Sequence, residues 1–154
     1  MMQFSLAKNV FARMTAMGLT ISELEKKIGL RYTALRSILK GHSKNPSAVI
    51  LHNIANILHC HMRDILPMDK NLPVEDNFLK ERTEKLDSLY EHHQLFMDTV
   101  AAFHQKLEEA GKDVTVRQYF ACLEEIYFHS LAKDPTKVDM EYLEWFVGLI
   151  ETPA

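Results

Sequence analysis

The chain predicts an all-α fold in two parts. A five-helix amino-terminal domain with a helix-turn-helix at its centre is followed by a helical carboxy-terminal domain, a long helix plus a hairpin. Three observations predict this. Gly and Pro are scarce, at five each in 154 residues, which favours helices over turn-rich β structure. Apolar residues recur at helical spacing through most of the chain. Between residues 18 and 46, two short amphipathic segments, 20–28 and 31–40, are separated only by Gly29 and its neighbours, the tight junction of two helices that makes a helix-turn-helix.

Taken in order, the first segment, 6–17, places Leu6, Val10, Met14 and Met17 at helical spacing, and Gly18 closes it as a carboxy-terminal glycine cap. The second segment starts at Thr20. Its hydroxyl can cap a backbone amide, Glu23 stands at the reciprocal capping-box position, and Leu19 and Leu24 sit where a hydrophobic staple forms. Leu24 and Ile28 face inward and Gly29 makes the turn. The third segment runs from about residue 32 to 40, with Leu35, Ile38 and Leu39 as its inner stripe and Gly41 at its end. Asn45-Pro46 opens a fourth helix, with the proline pre-set for a first turn. Val49, Ile50, Ile54 and Leu58 supply its inner face. A fifth helix over 62–66 is stopped by Pro67. Five such helices in ~65 residues can enclose one small core.

A linker is expected over residues 67–73 (PMDKNLP), which holds two prolines and no periodicity. The domains are therefore expected at 1–66 and 74–151. Residues 74–110 contain no Gly or Pro and predict one long helix ended by Gly111. Along it Leu79, Leu86, His93, Val100 and Leu107 fall seven apart, and Leu89, Phe96 and Phe103 form a second heptad row. That pattern predicts a dimerisation seam, interrupted by Arg82. Two further helices, about 115–132 and 136–150, have expected inner faces of Val116, Phe120, Leu123, Tyr127 and Leu131, then Leu143, Phe146 and Ile150. A hairpin or three-helix bundle is the simplest packing.

Charge is distributed unevenly. Residues 1–66 hold nine Lys and Arg against three acids, a net +6, and the remainder holds nine against eighteen, a net −9. The split suits a polyanion-binding module joined to one that avoids nucleic acid, although two independently solvated surfaces have the same signature. No apolar run approaches the ~20 residues that cross a bilayer. Lys8, Asn9 and Arg13 interrupt any signal-peptide core, so no membrane partner is expected. Cys60 and Cys122 lie far apart and read as thiols of a reducing cytoplasm.

Residues 6–66 resemble the phage repressor and Cro family of XRE-type helix-turn-helix proteins. The residues that carry the resemblance are Gly18-Leu19-Thr20, Glu23-Leu24, Ile28-Gly29-Leu30, Leu35, Ile38, Gly41, Asn45-Pro46, Ile54-Ala55 and Leu58. The resemblance implies a helix near Tyr32 that enters the major groove of double-stranded DNA. Tyr32, Thr33, Arg36 and Ser37 are then the base-reading residues, Arg36 through two hydrogen bonds to a guanine edge. Thr20, Arg31, Lys40, Lys44 and Asn45 would touch phosphate, which sets affinity and orientation without reading sequence. The chain departs from the family at three places. Ile21 stands where glutamine is usual. Glu25 stands where alanine is usual, and must reach solvent or pair with a nearby base such as Arg31. Arg31 occupies a cap position usually held by a small polar residue.

No catalytic signature is present: no Gly-rich phosphate loop, no Gly-x-Ser-x-Gly, no His-Glu-x-x-His. No cofactor and no metal are expected, because His59-Cys60-His61 has no second ligand pair and His93 reads as a seam residue. The expected function is a sequence-specific transcriptional regulator, a repressor acting as a homodimer. The aromatic mass of the carboxy-terminal part serves dimerisation, or a pocket for a small-molecule or protein effector. The competing readings are a protein-interaction module with the same fold, and an antitoxin-like regulator.

Overall fold

The computed structural model describes residues 4–29, 34–40, 46–67, 78–133 and 135–152, and all regular structure among them is helical. The helices are α1 (Leu6–Ala16), α2 (Ile21–Ile28), α3 (Ala34–Leu39), α4 (Ala48–Ile57), α5 (Met62–Ile65), α6 (Phe78–Leu86), α7 (His93–Ala110), α8 (Val116–Leu131) and α9 (Met140–Leu149). They fall into two compact units. The first comprises residues 1–14 and 19–87, the second residues 15–18 and 88–154. The division thus falls at 87/88, and α6 groups with the helices before it. Of the expected linker only Pro67 lies within the described residues.

In the first unit Val10, Leu24, Leu35, Leu39, Ile54 and Ile65 lose essentially all contact with solvent. One member of that interior is polar. Asn9 is buried, but its amide donates to the carbonyls of Phe4 (3.0 Å) and Ile65 (3.1 Å), and its Oδ1 accepts from the Phe4 amide. A buried amide costs little when its hydrogen bonds are made, and these join the start of α1 to α5. The amino terminus of α4 differs from expectation. Ser47, not Asn45 or Pro46, is the cap: its Oγ accepts from the Ile50 amide, and Pro46 lies outside the helix. The inner face also differs: Leu51, Ile54, Ala55 and Leu58 face inward, whereas Val49 is 70% exposed.

Residues 74–110 do not form one long helix. Helix α6 ends at Leu86, residues 87–92 are non-helical, and α7 begins at His93. Asp87 and Ser88 are poor helix formers, and Tyr90 folds back edge-on against His93 and Phe96 (centroids 4.3 and 5.9 Å). Helix α6 buries no residue fully. Its Phe78 and Arg82 both pack on the Phe11 ring, at 5.4 and 4.6 Å. Arg82, which interrupts the heptad pattern, therefore serves a cation–π contact.

The second unit is a three-helix bundle of α7, α8 and α9, each packed against the other two. Leu95, Thr99, Phe103 and Leu107 of α7 meet Cys122 and Ile126 of α8 and Tyr142, Leu143 and Phe146 of α9 in its interior. Helix α8 carries a capping box at Thr115 and Gln118. Its inner face differs from the expected one. Leu123 is buried as expected, but Val116 is 74% and Phe120 63% exposed, whereas Gln118 and Glu125 are inside. Both polar side chains are hydrogen-bonded there: Gln118 donates to the Glu151 carbonyl, and Glu125 Oε1 accepts from the Tyr142 hydroxyl at 3.1 Å.

Candidate nucleic-acid interface

The site is built from α2, the turn after it and α3. Helix α2 starts as its sequence requires. Thr20 Oγ1 accepts from the Glu23 amide and Glu23 Oε2 accepts from the Thr20 amide, both at 3.2 Å. The helix stops at Gly29, whose φ of 75° is left-handed and whose N–H donates to the Glu25 carbonyl at 3.0 Å. Only glycine takes that conformation without strain, and it turns the chain toward α3. Leu35, Ile38 and Leu39 anchor α3 in the core. That leaves Arg36 and Ser37 half-buried and Lys40 exposed at the helix end.

The structure joins two residues that the sequence treats separately. Glu25 is only 6% exposed, yet its Oε1 accepts from Arg36 Nε at 3.1 Å across the turn. The side chain of Arg36 keeps 34% of its surface. The partner of the unusual Glu25 is therefore Arg36 of α3; Arg31, the base expected for it, lies outside the described residues. Sequence carried half of this signal, a carboxylate at an inward position. Choosing between bases six and eleven residues away requires the turn geometry.

Of the residues expected at base edges, Arg36 and Ser37 lie on α3 and Tyr32 and Thr33 fall outside the described residues. Of those expected at phosphate, Lys40 is exposed and Thr20 caps α2 with a hydroxyl proton still able to donate. Arg31, Lys44 and Asn45 fall outside the described residues.

The expected dimerisation residues do not share one surface role. Phe103 and Leu107, one from each row, are consumed by the core of their own bundle, because α7 turns both toward α8 and α9. Phe96 and Val100 are half-buried, Leu79 is half-buried on α6, and Leu86, Leu89 and His93 are exposed. Phe96 also stacks edge-on with Tyr127, and Phe103 lies parallel to Tyr119 at 5.2 Å.

Elsewhere, burial pushes the thiol of Cys122 up to about 12, aided by the charge of Glu125, and burial also raises that of Cys60. His59 adopts a left-handed φ of 52° and His61 precedes α5, its amide bonded to Asp64. Among the described residues no three His, Cys, Asp or Glu side chains converge as metal ligands, and no helix is long and apolar enough to cross a membrane. The second unit holds an open pocket of about 490 Å³ lined by Glu91, His92, His93, Gln94, Leu95 and Thr136.

Residues 12–71 match the sequence model of the Cro/C1-type helix-turn-helix DNA-binding domain. The amino-terminal segment is a Cro/C1-type domain. The match covers α2 to α5 and the last part of α1, and it supports a DNA-binding regulator in the general sense. Neither the curated proteins nor the solved structures returned a match to the chain.

Proposed function

We propose that the protein is a sequence-specific regulator of transcription that acts as a repressor, binding double-stranded DNA as a homodimer in the cytoplasm. The observation that carries this reading is α3 itself. It is pinned by three buried residues on one side and carries Arg36, Ser37 and Lys40 on the other, inside a Cro/C1-type domain. A short rigid helix with cations and a hydroxyl outward is what a major groove accepts. The net +6 of residues 1–66 supports attraction to phosphate. Occupying an operator is then enough to repress, with no chemistry required.

Selection of bound duplexes from a random DNA pool, followed by titration at several salt concentrations, tests the reading. Affinity for the selected site is expected to fall steeply with salt. Lys40→Ala should weaken all duplexes alike and reduce the logarithmic salt slope by about 1. Arg36→Ala should instead erase preference at one base pair, worth about 1–3 kcal/mol. Duplex binding indifferent to salt, with neither substitution altering it, would point to the protein-interaction reading.

A further inference from the structure

We propose that Glu25 is a positioning residue for base readout: its buried carboxylate holds the guanidinium of Arg36 through Nε and fixes the orientation in which Arg36 meets a base edge. The inference rests on the DNA-binding reading above and deepens it. Three features carry it. First, a carboxylate at 6% exposure is costly to bury unless paired and hydrogen-bonded; here it sits 3.1 Å from Arg36 Nε. Second, the bond crosses from α2 to α3, and the backbone of the same Glu25 accepts the Gly29 N–H that ends α2. The residue that supplies the anchor therefore has its backbone tied into the end of α2. Third, Glu25 lies deeper than Arg36, whose side chain keeps 34% of its surface, so the guanidinium straddles interior and surface.

A free arginine must give up most of its rotamer freedom on binding. A guanidinium already held along one edge meets the groove in one pose, and a wrong base then costs the full mismatch because the group cannot swing to an alternative partner. The pair also has no net charge. Arg36 held in this way adds little to long-range attraction for phosphate, and its contribution goes to discrimination between sequences. Charge and orientation can therefore be separated by substitution.

The experiment uses the full chain and compares binding to the selected duplex with binding to a scrambled one, for wild type, Glu25→Gln, Glu25→Ala, Arg36→Ala and the Glu25→Ala/Arg36→Ala pair. Glutamine keeps an acceptor for Nε and loses the charge. It should bind both duplexes more tightly while holding the preference within about threefold of wild type. Alanine also removes the negative charge but loses the acceptor, so scrambled DNA should bind more tightly while the preference falls about tenfold, toward that of Arg36→Ala. The double substitution should discriminate no less than Arg36→Ala alone. If Glu25→Ala fails to give the wild-type helical circular dichroism, Glu25→Met takes its place, with similar volume and no strong acceptor. Undiminished preference in Glu25→Ala or Glu25→Met overturns the inference, as do losses that simply add in the double variant. Absence of salt-sensitive duplex binding by wild type removes the functional reading and this inference with it.

Discussion

Asp139 shows how much one side chain can hold in the second unit. Its Oδ1 caps α9 by accepting the Tyr142 amide at 3.1 Å, and its Oδ2 takes Lys133 Nζ and His129 Nε2, each at 3.0 Å. Burial alone would push its carboxyl up. The Tyr142 amide, Lys133 and His129 together outweigh that and hold it below the ordinary carboxylate value. A carboxyl depressed in the fold stabilises at all pH above its unfolded value of about 3.9, and this stability is lost as pH falls through the lower, folded value. Asp139→Asn keeps a capping oxygen and removes the charge, so its deficit in urea unfolding should be largest near neutrality and shrink below pH 4. An equal deficit at pH 7 and in strong acid would show that the ionic partners contribute nothing. Sequence revealed residues of this kind only when their partners were local. The Thr20–Glu23 box was legible because both bonds close within three residues. Ile65 for Asn9, Arg36 for Glu25 and His129 for Asp139 lie on other helices, where spacing gives no guide to choice.

At the scale of elements, two glycines make opposite demands. Gly29 has a left-handed φ of 75°, and a Cβ built there meets nothing within 4 Å. Gly29→Ala should therefore cost about 1 kcal/mol through backbone strain alone. Gly148 lies within α9, and its Cβ would also enter open space. Gly148→Ala should stabilise by roughly 0.5–1 kcal/mol, since an alanine restricts the unfolded chain and suits a helix. Urea midpoints of the two variants should move in opposite directions; a common direction would mean that local conformation does not govern these sites. Helix ends marked by Gly29, Gly111, Thr20 or Pro67 are readable because each acts on backbone within a few residues of itself. Helix faces were not always readable. Helix α8 has apolar residues on two sides, and hydrophobicity gave the stripe of Val116 and Phe120. The fold instead buries the stripe of Gln118, Cys122, Glu125 and Ile126, where hydrogen bonds engage the Gln118 amide and Glu125 Oε1. The break over 87–92 carries no Gly or Pro, and a heptad pattern running through it gave no warning.

For the whole molecule, the basic amino-terminal part and the acidic remainder set the question of how many copies bind. One helix as short as α3 offers three or four side chains to base edges. With each mismatch costing about 1–3 kcal/mol, one copy discriminates poorly among the many competing sites of a genome. A −9 carboxy-terminal part is repelled by phosphate, which favours a use other than DNA contact. Leu89, Val116 and Phe120 are exposed beyond what a solvated bundle needs, which supports pairing of two copies. A two-fold pair places its recognition helices one helical turn apart, about 34–36 Å, on the same face of the duplex. The selected DNA should accordingly be an inverted repeat with half-site centres about 10 base pairs apart, and inserting about 5 base pairs between the halves should abolish the gain over a single half-site. Sedimentation at micromolar concentration should give twice the mass of the chain, and Phe120→Arg or Leu89→Arg should lower it. A monomer that selects one unrepeated half-site would leave the DNA-binding unit intact and remove the dimer from this account.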